Sequence, residues 1–184
     1  ASASASRSAR AGEHCQNERM NSRPSASARI TGIALIVLPL IALLLKTFSF
    51  GWMMVFIIFG PIFVMVIGYV LQVIAAAQGF LSKKGLFDAA RLKRATIAAW
   101  VSLAGALVLG ITMPDGGDSD WGSTLQVWLG AYGENSEAVH AATDGLTAVL
   151  SYISAIAWVG GWIWLIVEWI GAFAARRRQQ LGMA

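Results

Sequence analysis

Charge is scarce in this chain and cysteine scarcer. Of 184 residues only 13% are charged, against 57% hydrophobic, and the mean hydropathy is +0.62. Soluble domains carry about a quarter charged residues, so a water-soluble globule is excluded. A single cysteine, Cys15, rules out a disulfide scaffold. The net charge of +4 is not gathered on a soluble basic face, which argues against a nucleic-acid partner. There is no P-loop, GxSxG, HExxH or CxxC pattern, so the reading is a chain that is not an enzyme and has no cofactor.

What the chain does have is long apolar blocks. At this length they cover a bilayer-spanning bundle more readily than they fill a soluble core. The expected fold is an all-α, integral membrane four-helix bundle, with both termini cytoplasmic and a short interfacial helix in the outer loop. Residues 1–29 are Ser, Ala and Arg repeats with little to bury and are expected to be a disordered cytoplasmic tail. The chain opens with Ala1, and Met20 precedes the last polar stretch before the first block. That arrangement is expected if residues 1–19 are an upstream extension of the native start. His14 and Cys15 stand side by side there, but one adjacent pair cannot complete a tetrahedral metal site.

Within a transmembrane domain at 30–175, spans are expected at about 30–50, 51–79, 95–113 and 146–175, with an outer loop at 114–145 and a basic cytoplasmic tail at 176–184. The first block follows Arg23 and Arg29 and lacks a small-residue cleavage site, as a retained signal anchor would. Lys46, near its end, is placed to snorkel toward the headgroups. The second block is longer than a bilayer requires, and Gly60 and Pro61 are its expected kink. Pro39 in the first block and Pro61 in the second suggest discontinuous helices of the transporter kind.

Orientation follows from counting cations. Five Lys or Arg lie in the N-terminal tail, five at 81–94 and three after the fourth block, with Lys46 alone on the opposite side. The loop between the third and fourth blocks holds Asp115, Asp118, Asp120, Glu134, Glu137 and Asp144 and no cation. By the positive-inside rule the tails and the 81–94 loop are cytoplasmic, and the protein belongs in the cell membrane.

Few residues are candidates for function. Ala98, Ser102, Ala106 and Gly110 recur every four positions, a small-residue stripe suited to close helix packing. Antiparallel pairing with the fourth span, through Ser151 and Ala155 or Ala157 and Gly161, is the simplest use of it. A homo-oligomer or a larger complex is the other. In the outer loop Trp121, Leu125, Trp128 and Tyr132 are spaced to share one helical face, which would dock on the membrane or on a partner. Glu137, His140 and Asp144 would place an imidazole between two carboxylates on a helix. The spacing is compatible with a divalent metal, but no second histidine or HExxH accompanies it, so a hydrogen-bonded cap and a solvated acidic face are kept beside that reading. The DGGDSD run at 115–120 lacks EF-hand spacing and reads as a turn.

Glu168 is the ionisable residue set well inside an apolar block. Low dielectric disfavours its ionised form unless a cation reaches it. Indoles of Trp158, Trp162, Trp164 and Trp169, or Gln72 and Gln78, are its candidate partners. Two functions follow as expectations: an accessory or scaffold subunit of a larger membrane complex, or a small oligomeric permease or channel subunit using Glu168. The expected partners are the lipid bilayer and other membrane subunits or further copies of the chain.

Overall fold

The computed structural model describes residues 25–49, 51–60, 62–83, 85–117, 121–131 and 133–181. The N-terminal repeats through Pro24, and Pro61, Asp118, Asp120 and Tyr132, lie outside them. Of the described residues 86% are helical, and four helices are long and apolar enough to cross a membrane.

Helix α1 covers Ala26–Lys46, its first turn capped by Ser25, whose hydroxyl accepts from Ala28 N at 3.3 Å. It runs unbroken through Pro39, which has no N–H to give to the carbonyl of Leu35 one turn back. Gln72 supplies the missing donor, its Nε2 lying 2.8 Å from Leu35 O, and Tyr69 Oη donates to Ile36 O at 2.8 Å. Pro39 therefore marks a helix–helix hydrogen bond and not an interruption.

The second block does divide. Helix α2, Trp52–Phe59, ends at Gly60, whose N–H bonds to Phe56 O at 2.8 Å, and α3 runs Ile62–Ala76 into a π-turn at Ala77–Leu81. The span-length helix of this block is Ile62–Leu81.

Helix α4, Ala89–Thr112, starts earlier than its apolar stretch. Asp88 caps it by accepting from Arg91 N at 2.8 Å, so Arg91, Lys93 and Arg94 are helical and not part of a loop. A two-residue antiparallel pair follows, β1 Asp115–Gly116 with β2 Trp121–Gly122, then the short α5, Thr124–Trp128. Helix α6, Ser136–Gln180, has 45 residues, and at about 1.5 Å rise its length of about 67 Å is twice the ~30 Å hydrocarbon thickness. The acidic stretch ahead of the fourth apolar block is thus the first part of the same helix.

Pairing directions follow from named contacts. Tyr69 and Gln72 of α3 bond to Ile36 and Leu35 of α1, and Gly32 lies against Leu81, so these two helices are antiparallel. Trp100 Nε1 donates to Thr31 Oγ1 at 3.2 Å and Gly110 meets Ala42, so α4 runs parallel to α1. Helix α6 runs antiparallel to α4, with Arg94 beside Glu168, Ser102 beside Trp158 and Thr112 beside Ser151.

The α4–α6 contact is built on small residues. A Cβ added to Gly105 would sit 2.5 Å from Trp158 N, and one added to Gly161 would sit 2.6 Å from Ser102 N. Ala98 and Ser102 take part as the spacing suggested, and Ser102 Oγ donates to Trp158 O at 3.0 Å. The stripe is not one face, however. Gly110 meets the backbone of Ala42 in α1, Ala106 is half-buried, and Gly105 carries the contact in its place. The physical reason is that α4 lies between two helices, so small residues are needed on both sides of it. No more than 39% of the apolar window of any span-length helix is buried by the rest of the chain.

Candidate functional site

The two ends of the bundle differ chemically. At the end where Lys83 follows α3, α4 begins with Arg91, Lys93 and Arg94, and α6 finishes with Arg176–Arg178, cations dominate; this is the basic end. At the other, the polar end, α1 and α4 finish and α5 packs against them.

Lys46 sets the polar end. Its Nζ donates to Ser49 Oγ at 2.9 Å and to Met113 O at 2.9 Å, and lies 3.6 Å from Asp115 Oδ2. The side chains of Lys46 and Asp115 are 6% and 0% exposed, so the expected snorkelling does not occur. Where α4 stops, Met113 offers a carbonyl with no helical N–H ahead of it, and β1 brings a carboxylate beside it. Together they hold the ammonium inside. Asp115 Oδ1 accepts from Gly116 N at 2.9 Å, and Gly51 packs so close that a Cβ there would lie 2.6 Å from that carboxylate.

From Lys46 the hydrogen bonds run on through buried side chains. Ser49 Oγ lies 3.1 Å from Thr124 Oγ1, which donates to Leu45 O at 3.0 Å and ties α5 to the last turn of α1. Ser123 and Gln126 form a capping box: Gln126 N reaches Ser123 Oγ at 3.2 Å and Ser123 N reaches Gln126 Oε1 at 2.8 Å. The other end of the Gln126 amide donates to Thr143 Oγ1 at 3.0 Å and to Asp144 Oδ1 at 2.7 Å, joining α5 to α6. Ser123, Thr124 and Gln126 are fully buried. Sequence reasoning passed over them, although the S-x-x-Q spacing at 123–126 is a capping-box pattern.

Asp144 also faces His140, whose Nδ1 is 3.3 Å from its Oδ1, and the imidazole stacks on Trp121 at 4.1 Å with 14° between planes. Of the three residues considered as metal ligands, the structure brings His140 and Asp144 together. Glu137 lines an open groove that His140 also borders, and among the described residues no three metal-ligating side chains converge. In the 115–120 run, Asp115 is engaged by Lys46.

The expected aromatic face is not one helix. Trp121 lies in β2, while Leu125 and Trp128 belong to α5, whose five residues end before position 132. The rings are also engaged: Trp121 with His140, and Trp128 edge-on with Phe48 at 6.2 Å between centroids. Periodicity of three and four was satisfied here by residues on a strand and a helix, because the buried turn at Gly122 and Ser123 lies between them.

Glu168 has a cation partner. Arg94 approaches it with Nε at 2.8 Å from Oε1 and a terminal nitrogen at 3.3 Å from Oε2, the carboxylate 11% and the guanidinium 52% exposed. Four of the residues expected to satisfy it are used elsewhere. Trp162 Nε1 donates to Gly68 O at 3.3 Å, Trp169 Nε1 donates to Gln78 Oε1 at 3.1 Å, and Gln72 serves Leu35. The approach of Arg94 was hidden because its position in the second turn of α4 read as loop.

Comparison with protein-family models, curated proteins and solved structures gave no match, so the functional argument stands on this geometry alone.

Proposed function

We propose that this chain is a non-catalytic, multi-pass subunit or scaffold of a cell-membrane complex, with both termini and the basic end cytoplasmic and the polar end outside. The observation that carries the reading is where its polar side chains are spent. Lys46 on Asp115, Gln126 on Asp144 and Arg94 on Glu168 each join one element to another. The large side chains left outward on the spans are apolar or aromatic: Phe63 is 78% exposed, Tyr152 75%, Ile156 73% and Val64 71%. Such faces are covered by lipid or by other spans. The charge difference between the ends supports the orientation through the positive-inside rule.

A permease reading draws on a Glu168 free to exchange protons or cations, and the bidentate approach of Arg94 takes that support away. Extraction of native membranes in a mild detergent tests the proposal: stoichiometric partner chains or further copies should co-purify, and recovery as a lone monomer contradicts it. For orientation, Cys15 is replaced and single cysteines are placed at Glu134 and Gln179. Impermeant maleimide should label the first in intact cells and not the second, and the reverse pattern overturns the assignment.

A further inference from the structure

At the polar end an open groove of about 450 Å³ is lined by Trp121, Gly133, Glu134, Ser136, Glu137 and His140. We infer that it binds an organic cation bearing N–H groups, a primary ammonium or a guanidinium. The inference is independent of whether the chain has protein partners.

The decisive group is His140. It is 6% exposed, and its Nε2 is the buried side-chain polar atom among the described residues with no hydrogen-bond partner. The other ring nitrogen, Nδ1, faces an oxygen of Asp144 that already accepts from Gln126. A carboxylate oxygen accepts and does not donate, so in the neutral ring Nδ1 carries the hydrogen and Nε2 is left as a lone pair. A buried acceptor of this kind calls for a donor; His140 lines the groove while its Nε2 is closed to water, so a donor seated there reaches it as the lining side chains part.

The rest of the groove states what sort of donor. Glu134 and Glu137 bring two carboxylates into its lining, and the nearest described cation at this end, Lys46, is sealed against Asp115. Trp121 has one face stacked on the imidazole and is still 53% exposed, so indole surface is open to a cation. Against Gly122 the fit is close, a Cβ there lying 3.2 Å from His140 Cε1, which fixes the ring edge. A metal ion is not the occupant these residues suit, because three ligating side chains do not converge. A quaternary ammonium satisfies the indole and the carboxylates but cannot donate to Nε2.

The test uses the full chain in detergent, with His14 replaced by Ala so that His140 is the one histidine left, and follows its ring-nitrogen signals by NMR. Propylammonium chloride should move the Nε2 signal saturably, and tetramethylammonium at the same ionic strength should bind more weakly. Glu134→Gln with Glu137→Gln, both at exposed positions, should weaken propylammonium by about tenfold, the scale of a lost charge-assisted contact. Nα-acetyl-lysine amide separates the two sources of this chemistry. Comparable binding identifies a lysine side chain as a fitting occupant, and binding of the free amine alone identifies a small amine. An Nε2 signal that does not saturate, equal binding of tetramethylammonium, or unchanged affinity in the double variant overturns the inference.

Discussion

Lys46 and Asp115 stand 3.6 Å apart at the polar end, almost wholly buried, whereas Arg94 and Glu168 toward the basic end approach to 2.8 Å with the guanidinium half exposed. Ranked by distance, the second pair is the stronger. Ranked by what each charge would face alone, the order reverses. An Arg94 without its partner still reaches solvent or headgroups, but an Asp115 without Lys46 keeps its carboxylate wholly buried. The comparison teaches that burial, more than contact length, sets how much the fold depends on an ion pair.

The largest effect should therefore come from Lys46→Met, which keeps the stem and removes the charge. Leaving a buried carboxylate without its cation typically costs about 3–5 kcal/mol. Denaturant or thermal unfolding in detergent should show a loss of that size, with much of it restored when Asp115→Leu is added. A second pair of variants supplies a reference midway between the ends. Gly161→Leu forces a side chain into the backbone of Ser102 and should cost about 1–3 kcal/mol. Its neighbour Gly160, which has open space around it, should accept Ala with no loss. Equal losses at the two glycines would break the account of the α4–α6 contact.

Gln72→Leu comes next. It deprives Leu35 O of the donor that replaces the missing N–H of Pro39, and should cost about 1 kcal/mol in thermal stability. Glu168→Gln is the smallest. With its cation half exposed, the pair is expected to contribute no more than about 1 kcal/mol. If Glu168→Gln destabilised as much as Lys46→Met, the ordering by burial would be wrong.

How far the sequence discloses this depends on the range of the interaction. Hydropathy alone placed four apolar helices, since each is a local run of residues. The start of α6 at Ser136 was half visible: the Glu137, His140 and Asp144 spacing indicated a helix, but the apolar pattern begins only at Leu146. Lys46 and Asp115 are 69 positions apart, and nothing near either one names the other. Lys46 alone at a span end obeys the rule for a snorkelling residue, and only the return of the chain after α4 turns it inward. Pro39 misleads for the same reason, because the donor that repairs its helix sits on α3. Gly105 escaped notice because a four-residue period was traced through Ala106, whereas a helix packed on two sides presents small residues on two rows.

Amide hydrogen exchange across the 121–131 segment tests the ordering by burial most directly. The N–H groups of Val127, Leu129 and Ala131 bond to the carbonyls of Ser123, Leu125 and Gln126, and their protection reports whether this segment stays folded over the bundle. In wild type and in Glu168→Gln they should exchange slowly and alike, while in Lys46→Met they should exchange faster by about tenfold or more, the factor that about 1.4 kcal/mol of lost local stability produces. Unchanged protection in Lys46→Met, or an equal loss of protection in Glu168→Gln, would contradict the account.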